Sequence, residues 1–162
     1  MSGFFKGPKL LLILLVLALH PLASSAQKKM KCMIQMTNYM GDGAYVVISL
    51  VDGKGSYAQT LYVMGSDKKW YKTIKEWYKF SSKKPENLSA ITGASVSGGD
   101  RSVHTIEVDE SKIDKGYVLR FESAVEDKPY YQKDVEIPLT TENLSAKIDG
   151  TGYIRYVRLS SN

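Results

Sequence analysis

Short segments in which apolar and polar residues alternate recur along this sequence, and they favour β-strands over helices. The clearest runs from Tyr117 to Val125, where Leu119 and Phe121 alternate with Arg120 and Glu122. Successive side chains of a strand point to opposite faces, so a period of two places the apolar set on one face. The segment is therefore predicted to be a strand with one face in a core.

Turn signals separate these segments at short intervals. Met40-Gly41-Asp42-Gly43 and Asp52-Gly53-Lys54-Gly55 combine Gly, which permits positive φ, with Asp, which hydrogen-bonds its own backbone. Seven or eight short strands joined in this way predict a mostly β fold, an immunoglobulin-like antiparallel β-sandwich. The predicted strands are Lys31 to Thr37, Ala44 to Val51, Tyr57 to Met64, Ser102 to Val108, Tyr117 to Val125, Tyr130 to Ile137 and Tyr153 to Leu159.

One segment changes to a helical period and predicts a single inserted α-helix. Ser66 is its expected N-cap, and the helix is expected to end near Phe80. The apolar residues fall on one helical face: Trp70, Ile74, Trp77 and Tyr78. We interpret the two Trp residues as anchors that pack the helix on the sheet, with a ligand cage as the alternative.

The N-terminal residues have the pattern of a secretory signal peptide. Lys6 and Lys9 precede an uncharged apolar run from Leu10 to Leu19, and the small-residue stretch Ala23-Ser24-Ser25-Ala26 follows. The apolar run is well short of the roughly twenty residues that span a bilayer. We predict cleavage after residue 26, export to the periplasm and no stable membrane span afterwards, which leaves residues 27–162 as a single β-sandwich domain.

Composition excludes several function classes. The formal net charge of +5 falls to +3 without Lys6 and Lys9, and no dense Lys/Arg block remains, so no nucleic-acid partner is predicted. Cys32 is the sole cysteine, which rules out an internal disulfide and suits a buried thiol. One Cys and one His, His104, outside the leader do not supply the ligands of an ordinary zinc site. We predict a protein that is not an enzyme, with a hydrolase using His104 as the least favoured alternative.

The most distinctive segment is polar, small and Gly-rich. It reads Ser89-Ala90-Ile91-Thr92-Gly93-Ala94-Ser95 and continues to Gly98, Gly99 and Asp100. Glycine lets a backbone approach a ligand closely, hydroxyl groups donate and accept hydrogen bonds, and successive N–H groups can hold an anion such as phosphate. From the residues alone, a ligand-binding loop and a tight structural turn both remain open.

A resemblance to a known family covers most of the exported chain, roughly residues 31–138. The Trp/Tyr-rich helix, then Ala90-Ile91-Thr92-Gly93-Ala94-Ser95, then a strand and Gly116-Tyr117-Val118-Leu119 resemble a family of predicted bacterial periplasmic proteins, the domain of unknown function 2271. Genes of that family often lie near those of PepSY-type membrane proteins and FMN transferases, in settings of extracytoplasmic electron transfer or iron uptake. The resemblance thus implies a periplasmic location and those two kinds of partner.

The same segment resembles the acceptor motif of flavinylated proteins, in which a Thr or Ser takes FMN through a phosphoester. Thr92, Gly93, Ala94 and Ser95 match the Ser/Thr-Gly-Ala-Thr/Ser pattern, with Ser95 at the acceptor position. Ser89 stands where the family commonly has Asp. The resemblance implies FMN on Ser95 as the cofactor, while a structural turn and a non-covalent ligand contact remain alternatives.

Two hypotheses about function follow. In the first, the protein is a periplasmic accessory or binding module of a membrane-associated redox or metal-uptake system and carries FMN on the Gly/Ser loop. In the second, it is a purely structural or protein-interaction β-sandwich of the cell envelope without a cofactor.

Overall fold

The computed structural model describes residues 26–161, so the predicted signal peptide lies outside the described residues except for Ala26. The described residues contain one α-helix, α1 (Lys75–Lys83), and 3-10 helices at Lys68–Thr73, Ser89–Ile91, Glu110–Lys112 and Glu142–Ser145. They also contain nine strands: β1 (Gln27–Met36), β2 (Tyr45–Val51), β3 (Tyr57–Met64), β4 (Thr92–Gly93), β5 (Arg101–Asp109), β6 (Val118–Ala124), β7 (Tyr130–Pro138), β8 (Lys147–Asp149) and β9 (Ile154–Ser161).

The strands form two sheets. The first has the order β5-β1-β9-β8 and the second the order β4-β3-β2-β6-β7. All neighbours pair antiparallel except β3 and β4, which are parallel. The predicted mostly β, two-sheet sandwich with one α-helix is confirmed, while its immunoglobulin-like strand arrangement stays a prediction.

The core between the sheets follows from the alternation seen in the sequence. In β1, Met30, Cys32, Ile34 and Met36 are buried, and the residues between them are more exposed. The larger core residues from the other sheet include Ile48, Leu50, Leu119 and Phe121, all fully buried. Burying one such side chain stabilises the fold by about 1.5–3 kcal/mol.

Cys32 is a buried residue of this core, as predicted. Burial raises the pKa of its thiol to about 12. The thiolate, which is the reactive form, is therefore scarce at neutral pH.

The helical segment packs on the outer face of the second sheet, but the prediction of one continuous helix capped by Ser66 is wrong. Asp67 is the N-cap, because its side chain accepts a hydrogen bond from Lys69 N–H, and it begins a 3-10 helix. Ile74 has ψ 73°, outside the helical range, and separates that turn from α1. The two pieces therefore have different buried faces.

This break changes which aromatic residues anchor the helix. Tyr71 and Trp77 are buried with Ile74 against the sheet, and Trp77 Nε1 donates to Thr60 Oγ1 at 2.9 Å. Trp70 is only partly buried and Tyr78 is 43% exposed. Of the two Trp residues, Trp77 is the anchor, and Trp70 is available for another role.

A carboxylate from the sheet holds the start of α1, which has no side-chain cap of its own. Glu122 of β6 is fully buried and accepts hydrogen bonds from Tyr57 Oη at 2.5 Å, from Tyr130 Oη and from the backbone N–H of Trp77. A negative charge at a helix N-terminus is favourable. Burial and the charge of Glu122 raise the pKa of both tyrosines, which keeps them as donors.

This buried carboxylate gives a testable pH dependence. Burial raises the pKa of Glu122 above the ordinary value of 4.5, although its hydrogen bonds oppose the shift. The folded state then binds a proton at Glu122 more tightly than the unfolded state does. The stabilisation that this protonation provides is complete below pH about 4.5 and is lost as the pH rises through the folded-state pKa. Relative to Glu122→Gln, the wild-type free energy of unfolding should fall over that window, by about 1.4 kcal/mol for each unit by which the pKa is raised.

Urea denaturation of both proteins from pH 4 to pH 8 measures this difference. Glu142→Gln, at an exposed position, is the matched control and should follow the wild-type curve. Parallel curves for wild type and Glu122→Gln would show that this carboxyl group does not titrate differently on folding.

Candidate functional site

The segment predicted as a functional loop begins as part of the second sheet. Thr92 and Gly93 form β4 beside Val63 and Met64 of β3. Thr92 Oγ1 donates to the carbonyl oxygen of Leu88 at 2.7 Å, and the carbonyl oxygen of Gly93 accepts from Gly65 N–H at 2.8 Å. Two of the four predicted site residues are therefore held by ordinary structural hydrogen bonds.

Gly93 lies against a tyrosine ring. A Cβ atom at this position would be 2.6 Å from Tyr62 Oη, closer than real Cβ contacts, so a larger residue requires the ring to move. The need for glycine here has a local packing explanation.

Ser95 and Ala94 are exposed, and after them the backbone is held by hydrogen bonds at Val96. Val96 is buried and exchanges two backbone hydrogen bonds with Ala44, of 2.7 and 3.1 Å. Tyr39 Oη donates to the carbonyl oxygen of Val96 and accepts from Ala44 N–H. The candidate hydroxyl thus stands on a short exposed bend that is fixed at both ends.

A cavity of about 290 Å³ opens beside Ser95. Ser95 and Gly43 form one wall, and a Cβ atom on Gly43 would be 2.6 Å from Ser95 Oγ. Trp70 and Tyr45 contribute aromatic surface, and Thr73 a hydroxyl group. The site therefore combines an accessible hydroxyl with aromatic surface on which a planar ring system can pack.

Three carboxylates give the cavity a negative character. Asp42, Asp67 and Glu126 all line it. The pKa of Asp67 is lowered by its hydrogen bonds with Lys69, whose Nζ lies 2.9 Å from Asp67 Oδ2. The pKa of Glu126 is raised by desolvation and by the negative charges of Asp127 and Asp42. The cavity does not favour a free anion.

Two features of the cavity suit FMN, namely the hydroxyl group for attachment and the aromatic residues for its ring system. The surroundings suit the phosphate group of FMN less well. The backbone N–H groups of Val96, Gly99 and Asp100 already donate to carbonyl oxygens, so they are not available as an anion cradle. A phosphoester on Ser95 would have to face solvent, where water screens its charge from the carboxylates.

His104 lies elsewhere, on β5. Its ring stacks on Tyr62 with 4.0 Å between centroids, and burial lowers its pKa. Its Nε2 atom is buried and has no hydrogen-bond partner among residues 26–161. In this arrangement no serine hydroxyl is hydrogen-bonded to Nε2.

Sequence reasoning missed most of the cavity. Asp42 and Gly43 are predicted only as part of a turn, Glu126 has no predicted role, and Trp70 is predicted as an anchor on the sheet, with a ligand cage as the alternative. The motif at Ser95 gave no sign of these partners, because they come from segments distant in sequence. Within the described part of the chain, no group of three or more His, Cys, Asp or Glu residues is arranged to hold a metal ion.

The family model described as "Predicted periplasmic protein (DUF2271)" matches residues 27–156. The chain belongs to that family. The match confirms the resemblance seen in the sequence and extends it at both ends, and the family's description agrees with the predicted periplasmic location. No curated protein and no solved structure matches this DUF2271 protein. In residues 26–161 no helix is long and apolar enough to cross a membrane.

Proposed function

We propose that this DUF2271 protein is a periplasmic accessory module that carries FMN as a phosphoester on Ser95, within a membrane-associated redox or metal-uptake system. The observation that carries the proposal is the exposed Ser95 hydroxyl, which stands in a Thr-Gly-Ala-Ser segment beside a cavity lined by Trp70 and Tyr45. An FMN transferase would load the protein, and a PepSY-type membrane protein would be its redox partner.

Attachment requires one accessible nucleophile and little else from this chain. The Ser95 Oγ–H bond is replaced by an Oγ–P bond, while a nucleotide leaves from a flavin dinucleotide donor and the proton is released to the transferase or to water. The two residues before Ser95 are small, because exposed Ala94 has only a methyl group and Gly93 has no side chain. These small neighbours give a transferase room to reach Oγ.

After attachment, this chain would hold and shield the cofactor. FMN itself supplies the electron-transfer chemistry. Trp70 and Tyr45 line the space next to the attachment point, and Asp42 and Glu126 place negative charge there. This protein would carry electrons and would not catalyse a reaction of its own.

Co-production with an FMN transferase tests the proposal. The intact mass of the protein should increase by one FMN less one water. An unchanged mass, with a known acceptor protein modified in the same cells, would overturn it.

A cofactor-free interaction domain is the second candidate, and one observation favours it. Thr92 and Gly93 are accounted for by β4 pairing and by packing on Tyr62, without any ligand. Recovery of an envelope partner by a protein that stays unmodified beside an active transferase would favour this candidate.

Trp70 separates a shielding role from a structural one. In the flavinylated protein we expect Trp70→Ala to raise flavin fluorescence several-fold, because an indole that packs against the flavin quenches its emission. Tyr78→Ala, at an exposed aromatic position of α1, is the matched control and should leave the emission unchanged. Equal emission from all three proteins would show that the flavin does not contact Trp70.

A further inference from the structure

β5 is a long and regular edge strand. It has nine residues and pairs with β1 in an unbroken register from Gln35↔Arg101 to Gln27↔Asp109. Among residues 26–161, no strand pairs with its other edge. Natural edge strands are commonly shortened, bulged or given charged residues or Pro to prevent further pairing. β5 is long and unbulged and contains no Lys or Pro, and its charged residues are Arg101, Glu107 and Asp109. Its outer edge can therefore accept another strand.

A polar groove of about 530 Å³ lies along this edge. Its lining includes Thr105 and Glu107 of β5, Gln59 of β3, and Glu86 and Asn87 from the segment after α1. The hydroxyl, amide and carboxylate groups can donate to or accept from an extended backbone and its side chains. This groove shares no lining residue with the cavity beside Ser95.

Glu86 gives the groove a charge preference. Its Oε1 atom accepts from Thr60 N–H at 3.3 Å, but Oε2 is buried and has no hydrogen-bond partner within the described residues. Glu107, on the other side, is already paired with Lys29 at 3.1 Å. A buried carboxylate oxygen without a partner is costly, and Glu86, which lines the groove, can relieve this cost by turning Oε2 towards a cationic N–H donor of a ligand.

We propose that this groove binds an extended segment of another protein, which adds to β5 as a strand and directs a Lys or Arg side chain to Glu86. Main-chain hydrogen bonds to β5 would supply affinity, and the basic side chain would supply specificity. Val103, 57% exposed on β5, would gain a cross-strand neighbour. The proposal does not depend on flavin at Ser95.

The probe is a peptide as long as β5 that alternates Val and Thr around one central Lys. Binding to protein purified from the periplasm is followed by fluorescence polarisation and by hydrogen exchange of the β5 amides that point away from β1. We expect protection of those amides and about tenfold weaker binding when the central Lys is replaced by Glu. Glu86→Gln should remove that difference, while Glu142→Gln, an exposed carboxylate outside the groove, should retain it.

A peptide N-methylated at alternate residues, which cannot form the strand ladder, should not bind. Val103→Lys should weaken binding of the Lys peptide, because it adds a positive charge to the strand. The proposal is overturned if the Lys peptide does not bind or if Glu86→Gln leaves the preference for Lys over Glu intact. It is also overturned if the β5 amides that point away from β1 are protected without peptide in a sedimenting dimer, which would make a second copy the occupant.

Discussion

Replacing Ser95 with alanine should abolish covalent flavin completely. Oγ of Ser95 is the atom that would form the ester, and Thr92, the other hydroxyl residue of the motif, has its Oγ1 engaged with the carbonyl oxygen of Leu88. Intact-mass spectrometry of the protein co-produced with an FMN transferase should show one added FMN for the wild type and none for Ser95→Ala. The effect is all-or-none, because no second acceptor is expected.

Two variants keep this experiment interpretable. Ser95→Thr retains a hydroxyl at the same place and should still be modified, at least in part. Ser82→Ala, at an exposed position outside the motif, should be modified like the wild type. Because Ser95 is exposed, its loss should not unfold the protein. Modification that persists in Ser95→Ala would place the flavin on another residue and refute this assignment.

Replacing Asp134 with alanine should cause the largest loss of stability among the substitutions considered. The carboxylate is buried and accepts hydrogen bonds from the backbone N–H groups of Thr151, at 2.9 Å, Gly152, at 2.6 Å, and Ile154, at 2.9 Å. It also accepts from Ser123 Oγ. Its removal leaves three backbone donors without this acceptor, each costing about 1–3 kcal/mol. We expect the free energy of unfolding in urea to fall by about 3–5 kcal/mol.

Ser123→Ala is the matched control for this prediction. It removes one donor and leaves Asp134 with its three backbone donors, so we expect a loss of only about 1 kcal/mol. Should Asp134→Ala unfold with a free energy close to that of Ser123→Ala, the carboxylate would not be what fixes the β8–β9 turn. If Asp134→Ala is too unstable to purify, Asp134→Asn, which keeps one acceptor oxygen, takes its place, and the yields of the two variants are compared.

Period-two alternation predicted the longer strands, but not that both faces of β6 are buried, including the polar residues Arg120 and Glu122. It failed for β4 and β8, of two and three residues, since alternation cannot be recognised over so short a stretch. It also placed the start of β1 at Lys31 instead of Gln27, where polar residues pair with the far end of β5. Pairing at a sheet edge does not require apolar side chains.

The helical segment shows a second limit of pattern reasoning. Spacing alone placed Trp70, Ile74, Trp77 and Tyr78 on one face, but the backbone leaves the helical range at Ile74. Thr73 Oγ1 donates to the carbonyl oxygen of Trp70 at 2.7 Å at this break. Residues before and after this break therefore lie on different helical faces, and Trp70 lines the cavity beside Ser95.

Of the candidate site, only the sequence motif that contains Ser95 could be predicted, and the cavity beside it could not. Ser95 could be named from four consecutive residues, but Asp42 and Glu126 reach the cavity through the packing of β2 and the turn after β6. The negative charge of the cavity, which disfavours binding of free phosphate, therefore could not be predicted from the sequence. The Glu86 groove was hidden for the same reason, because its sides come from β3, β5 and the segment after α1.

The visible absorbance of the protein isolated from its own cells tests the flavin assignment most directly. The protein is denatured in acid and separated from small molecules before the spectrum is taken. A flavin band that stays with the polypeptide is the predicted result. A colourless polypeptide, from cells in which an FMN transferase is active, or a flavin band found only in the small-molecule fraction, would contradict the assignment.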